Sequence, residues 1–153
     1  RVGSDNHFLA NTHLAHDVQV GSRVIMSNLA TLAGHVIVED HAIIGGLAAV
    51  HQFCRIGRYA MVGGCSKVVQ DIAPYMMADG NPTATRFVNK VGLERAGFAA
   101  DTIGTLIKAY KIIFRMGLTL ENALSRMEAD LPTSPELKEL IDFIRASPRG
   151  LAR

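Results

Sequence analysis

A strict period of six residues runs through the first half of this 153-residue chain and leaves few folds open to it. Stepping by six from Val2 gives Val2, Phe8, Leu14, Val20, Met26, Leu32, Val38, Ile44, Val50, Ile56, Val62 and Val68, and every one is apolar. The next residue is often small, as at Gly3, Ala15, Gly21, Ala33, Gly45, Gly57 and Gly63. Four positions past the anchor comes another small or β-branched residue in most hexads, among them Val18, Val24, Ala30, Val36, Ala42 and Cys54. An amphipathic helix needs spacings of three and four, and a half-exposed strand alternates by two. A period of six satisfies neither. It fits a coil of short parallel strands in which each hexad forms one side and aims its anchor into a narrow interior.

Three hexads close one triangular coil, so residues eighteen apart stack, with roughly 4.8 Å between neighbouring strands. Residues 2–73 supply four such coils. One column then reads His16, Gly34, Gln52, Gln70, and its neighbour reads Asp17, His35, Phe53, Asp71. Neither is an anchor column, so these side chains are not committed to the core. The stretch NTHLAHD, residues 11–17, therefore shares one wall with a glycine, a further histidine and a glutamine.

From Pro74 the repeat stops. Residues 74–84, with Ala73-Pro74-Tyr75 and Gly80-Asn81-Pro82, read as a connecting loop. The remainder reads as a small helical domain, giving a division into 1–73 and 74–153. A short helix is expected from Thr85 to Ala96, ending at Gly97. Asp101 is expected to cap a second helix that carries Ile103, Leu106, Ile107, Tyr110, Ile113 and Phe114 on one face and ends at Gly117. Thr119 and Ser134-Pro135 start two more.

A net charge of +2 and 6% aromatic residues give no footprint for nucleic acid. The longest apolar run, Ala42 to Val50, is too short to span a bilayer. Cys54 and Cys65 lack metal or redox spacing and read as reduced, partly buried thiols of a cytoplasmic protein. The chain opens at Arg1-Val2-Gly3 already inside a repeat, so further coils are expected upstream.

All six histidines (7, 13, 16, 35, 41, 51) lie in the repeat. One reading is general-base catalysis: an imidazole removes a proton from an attacking hydroxyl, a carboxylate holds its tautomer, and a glycine N–H meets the developing oxyanion. His16, Asp17 and Gly34 supply those three types. A second reading is a metal site of the carbonic anhydrase kind built on the same coil, which needs three converging imidazoles. His13, His16, His35 and His51 are numerous enough, but the histidine-x4-histidine arrangement is absent. A third is solvated histidines on coil faces, favoured for His7 and His41.

The hexads resemble the left-handed parallel β-helix of the hexapeptide-repeat acyltransferases. The segments NTHLAHDVQVG, LAGHVIVEDHAIIGGLAAVHQFCRIG, MVGGCS, NKVGLERAGF and the closing SPRGLAR are similar, in this order, to the UDP-N-acetylglucosamine acyltransferase family. Asp17 separates the chain from the sister N-acyltransferases, which typically have asparagine there. The resemblance implies transfer of an (R)-3-hydroxyacyl group from acyl carrier protein to the 3-hydroxyl of UDP-N-acetylglucosamine, the first step of lipid A synthesis. It implies a cytoplasmic homotrimer, with no cofactor beyond the carrier's phosphopantetheine arm. His16 then matches the general base, Asp17 its orienting partner and Gly34 the oxyanion donor. His13, His35, His51 and Gln52 match the substrate groove, Gly64 the position that sets acyl length, and Asn89 and Arg95 the nucleotide contacts. Val91, Ala96 and Pro82 depart from the residues usual in the family at those positions. The rival from another class is a β-helix scaffold that binds nucleotide-sugar or a partner protein without chemistry.

Overall fold

Eleven two-residue strands, evenly spaced by six, begin the architecture: β1 His7–Phe8, β2 His13–Leu14, β3 Gln19–Val20, β4 Ile25–Met26, β5 Thr31–Leu32, β6 Ile37–Val38, β7 Ile43–Ile44, β8 Ala49–Val50, β9 Arg55–Ile56, β10 Met61–Val62 and β11 Lys67–Val68. They come from a computed structural model that describes residues 1–153. Pairing is parallel and eighteen residues apart, as in Thr31 against His13 and Ala49 against Thr31. Three sheets result, β1-β4-β7-β10, β2-β5-β8-β11 and β3-β6-β9. From Val20 on, the second residue of each strand is the sequence anchor and is buried. Between strands the chain turns through one residue in the left-handed region, at Asp17, Arg23, Leu29, His35, His41, Leu47, Phe53, Tyr59 and Cys65 among others. The result is a parallel β-solenoid with a continuous aliphatic core.

The last coil is two residues short: Ile56 pairs with Ile72 and Met61 with Met77, sixteen apart. Here the structure departs from the expected loop. Residues Met76–Gly80 form β12, parallel to β10, and Thr83–Val88 form β13, antiparallel to β12. Alternating burial along 76–80 (Met76 and Ala78 in) and the inward Thr83 and Thr85 explain the strands. The first helix, α1, is correspondingly short, Lys90–Arg95 rather than from Thr85, because Asn89 caps it. The second, α2 Ala100–Tyr110, begins at Ala99 without a side-chain cap, so Asp101 lies in its first turn. It runs into a π-helical turn, Lys111–Arg115. Helices α3 Leu120–Asp130 and α4 Pro135–Arg145 are capped by Thr119 and Ser134 as expected.

These helices share a second apolar cluster with Tyr75, Met76 and Val88, so β12 and β13 join coil to helices. The tail then returns to the coil end: Leu151 bridges Asp71, and Ala152 packs in the solenoid core. No helix is long and apolar enough to cross a membrane.

Candidate active site

Adjacent residues on an ideal strand face opposite ways, which would separate His16 from Asp17. The chain avoids this by leaving the strand after Leu14 and placing Asp17 in the left-handed region, φ 58°. Aspartate tolerates that conformation better than most residues. The turn brings Asp17 Oδ2 to 3.0 Å from His16 Nδ1. The carboxylate can only accept, so the imidazole donates Nδ1–H and leaves Nε2 bare as the basic nitrogen. The bond to His16, and then the charge of His35, hold the Asp17 carboxyl below its ordinary range.

The next coil completes the group. His35 N–H donates to His16 O at 3.1 Å and Phe53 N–H to Gly34 O at 3.1 Å, which locks the predicted columns. His35 Nε2 stands 3.7 Å from Asp17 Oδ2. The His35 ring meets His16 edge-on with centroids 5.0 Å apart and stacks on Phe53 at 4.7 Å. Gly34 lies directly over the His16 ring: a Cβ there would sit 2.7 Å from His16 Nε2 and Cε1. Its own N–H donates to no acceptor in the chain. A bare basic nitrogen and a free backbone donor thus lie within one coil spacing.

The other candidates are distributed. His13 lies on β2, exposed. His51 follows β8, its Nδ1 3.2 Å from Gln52 O and 3.4 Å from Arg149 Nη2. Gln52 is exposed. Gly64 lies after β10, on the corner between the β10 and β11 faces, whereas His16 is on the corner between the β2 and β3 faces. Asn89 is buried: its Oδ1 accepts from Gly92 N–H and its Nδ2 donates to Tyr59 O, on the third corner. Arg95 ends α1 in an exposed position. The structure brings His16, Asp17, Gly34 and His35 together, leaves Gly64 and Asn89 at other corners and puts Arg95 at the end of α1. The groups able to approach one metal ion are His16, Asp17 and His35, within 4.8 Å, two imidazoles and a carboxylate rather than three imidazoles. Sequence reasoning passed over Arg149, whose contact with His51 crosses 98 positions. His41, expected as a solvated histidine, is half-buried and stacks on Tyr59 at 4.4 Å. A groove of about 940 Å³ between the β3-β6-β9 face and α4 contains none of the candidate residues.

Residues 71–152 match the family described as UDP N-acetylglucosamine O-acyltransferase, domain 2. The chain belongs to this family. Among its members, the acyl-[acyl-carrier-protein]–UDP-N-acetylglucosamine O-acyltransferase of Anaeromyxobacter sp. (strain K) is 44% identical over 153 residues, which cover 100% of this chain and 60% of that relative. The solved UDP-N-acetylglucosamine O-acyltransferase of Moraxella catarrhalis superposes with a TM-score of 0.95 at 44% identity, covering 100% of this chain and 60% of that one. The UDP-N-acetylglucosamine acyltransferase of Campylobacter jejuni gives 0.86 at 31% identity, covering 99% and 69%. The chain spans about 60% of the length of the curated O-acyltransferases it matches.

Proposed function

We propose that the chain provides the basic wall and C-terminal part of an O-acyltransferase that moves an (R)-3-hydroxyacyl group from acyl carrier protein to the 3-hydroxyl of UDP-N-acetylglucosamine, the first step of lipid A synthesis. The observation that carries this reading is the contact of His16 with both Asp17 and Gly34. His16 Nε2 takes the hydroxyl proton while Asp17 stabilises the imidazolium. The sugar oxygen attacks the thioester carbonyl, and Gly34 N–H donates to the oxyanion. Collapse breaks the carbon–sulfur bond, and the departing thiolate of the phosphopantetheine arm takes the proton back from His16. His35, His13, His51 and Gln52 line the substrate groove, Gly64 leaves room for the acyl chain, and Arg95, the exposed, forked donor suited to a diphosphate, serves the nucleotide from the end of the helix that Asn89 caps.

The same reading includes a cytoplasmic homotrimer. Its support is the scatter of candidates over three corners, which only neighbouring copies would gather into one groove. Large apolar residues on the corners also favour it: Leu9, Leu29 and Leu47 stand exposed on one, Phe53 on another. Such a ladder of exposed leucines marks an interaction surface.

The test is turnover with (R)-3-hydroxyacyl carrier protein and UDP-N-acetylglucosamine, on residues 1–153 and on the chain extended to its relatives' full length. His16→Ala should lower the rate by about 10²–10⁴-fold. Near-normal turnover by a folded His16→Ala variant overturns the assignment. Binding of nucleotide-sugar without turnover in the extended chain points instead to a non-catalytic scaffold.

A further inference from the structure

The C-terminal tail reaches the same wall as the dyad. Asp71 N–H donates to Gly150 O and Ala152 N–H to Asp71 O, both at 3.0 Å, and Thr85 Oγ1 donates to Ala152 O at 2.7 Å. These bonds lash residues 150–152 to the end of the solenoid and carry Arg149 inward. Its Nη2 lies 3.4 Å from His51 Nδ1 and 3.4 Å from Val69 O, and the guanidinium adjoins Cys54. Its Nε is buried without a hydrogen-bond partner. A guanidinium left partly unpaired is not where it is for its own satisfaction; the backbone of the tail holds it there.

We infer that Arg149 is a positioning residue that fixes the tautomer of His51. His51 Nδ1 faces two groups of opposite demand. Gln52 O, at 3.2 Å, can only accept, and Arg149 Nη2, at 3.4 Å, can only donate. A neutral imidazole nitrogen serves one of them. Bonding to Gln52 O would put the proton on Nδ1 and leave Nε2 an acceptor. Bonding to the cation leaves Nδ1 bare and puts the proton on Nε2. A charge-assisted bond is roughly twice as strong as a neutral one, so the arginine prevails and His51 offers an Nε2–H donor. His16 is set the opposite way by Asp17, with its proton on Nδ1 and a bare Nε2. Two histidines on one wall are thereby divided: a carboxylate makes one a base, and an arginine makes the other a donor to an oxygen-rich ligand such as a sugar or diphosphate. The ligand role of His51 rests on the proposed acyltransferase reading; the tautomer does not.

The test is long-range proton–nitrogen NMR on ¹⁵N-histidine-labelled protein, with His51 assigned through His51→Gln. The expected spectrum shows His51 protonated on Nε2 and His16 on Nδ1. In Arg149→Met, which keeps the apolar stem but has no donor, the His51 proton should move to Nδ1 while the His41 signals stay in place. An Nδ1–H His51 in the wild type overturns the inference, and so does an unchanged tautomer in the folded Met variant. If that variant fails to fold, the wild-type spectrum still decides. In the active, extended chain, losing a donor of this kind should raise KM for the nucleotide-sugar roughly tenfold with a smaller change in kcat. A switched tautomer with unchanged KM overturns the positioning role. The NMR readout needs no turnover, so it stands or falls separately from the acyltransferase reading.

Discussion

The contact between Gly34 and His16 allows the proposed base to be moved without being removed. Gly34 has no left-handed φ, so its backbone accepts an alanine, but the new Cβ would lie 2.7 Å from Nε2 and Cε1 and 3.3 Å from Nδ1 of His16. Ordinary contact begins at 3.4 Å, so the ring must retreat by 3.4 − 2.7 = 0.7 Å at least. It has space to do so, because the His16 side chain is 73% exposed, and the fold should survive. The Gly34 N–H is untouched. A reacting group misplaced by about 1 Å costs roughly 10²-fold, or about 2.7 kcal/mol of barrier, so Gly34→Ala should lose between about ten- and a hundredfold in kcat. In the chain extended to its relatives' full length, initial rates with carrier-bound acyl donor and UDP-N-acetylglucosamine read this under the proposed reading, with circular dichroism as the folding control. The Asp17 carboxyl gives a second readout: its bond to His16 is the main cause of its lowered pKa. Displacing the ring should return it toward the usual carboxylate range. A folded Gly34→Ala variant that turns over within twofold of wild type would refute the placement of the base under Gly34.

Two further outcomes follow from groups outside the dyad. Burial, and then the charges of Arg23 and Arg58, lower the pKa of His41 from 6.5, opposed by Asp40, while the ring stacks on Tyr59. The unfolded chain therefore binds more protons than the folded one from about pH 6.5 down to the folded pKa, and stability falls with acidification across that window. Urea midpoints between pH 7.5 and 5 should show a slope that His41→Gln reduces; an unchanged slope rejects the assignment. The thiols should also separate. Cys54 is buried with its pKa pushed up to about 11, and Cys65 is exposed. One thiol per chain should react with a disulfide reagent in native buffer and two in denaturant, and rapid labelling of both in native buffer contradicts the packing.

How much of this was legible beforehand depends on whether the determinant was periodic. The anchors Val20 to Val68 and the columns through His16 and Asp17 follow from a spacing that parallel pairing enforces in every coil. That logic fails where the period breaks. The short last coil moves Asp71 out of its column and into full burial, accepting from Arg55 N–H at 2.8 Å and Ser147 Oγ at 2.5 Å. No local pattern announces a partner 76 positions away. The strands at 76–88 were hidden for the same reason. Prolines and Gly80-Asn81 suggested a loop, while the open edge of β10 and the returning tail supply the pairing that makes them strands. Asn89, assigned by resemblance to the nucleotide, has both side-chain polar atoms occupied by α1 and Tyr59 within the chain.

The corner residue links the repeat to the chemistry. Every turn between strands needs one residue in the left-handed region, which costs an ordinary L-residue roughly 1–2 kcal/mol, yet the chain spends Leu29, His35, Leu47, Phe53 and Tyr59 there. Each such residue leaves the strand direction, and the aromatic ones stack on the residue a coil away, as His35 does on Phe53 and His41 on Tyr59. The solenoid therefore converts turns into ladders of side chains that run along its edges. On the corner after β2 the ladder residue is Asp17, and the same turn that starts the ladder swings its carboxylate back onto the preceding His16. A dyad of sequence neighbours is impossible on a straight strand and natural on this corner. The coil above contributes Gly34, and only glycine, with no Cβ, leaves room for the ring. The imidazole, the carboxylate and the free N–H are thus brought together by the six-residue period itself.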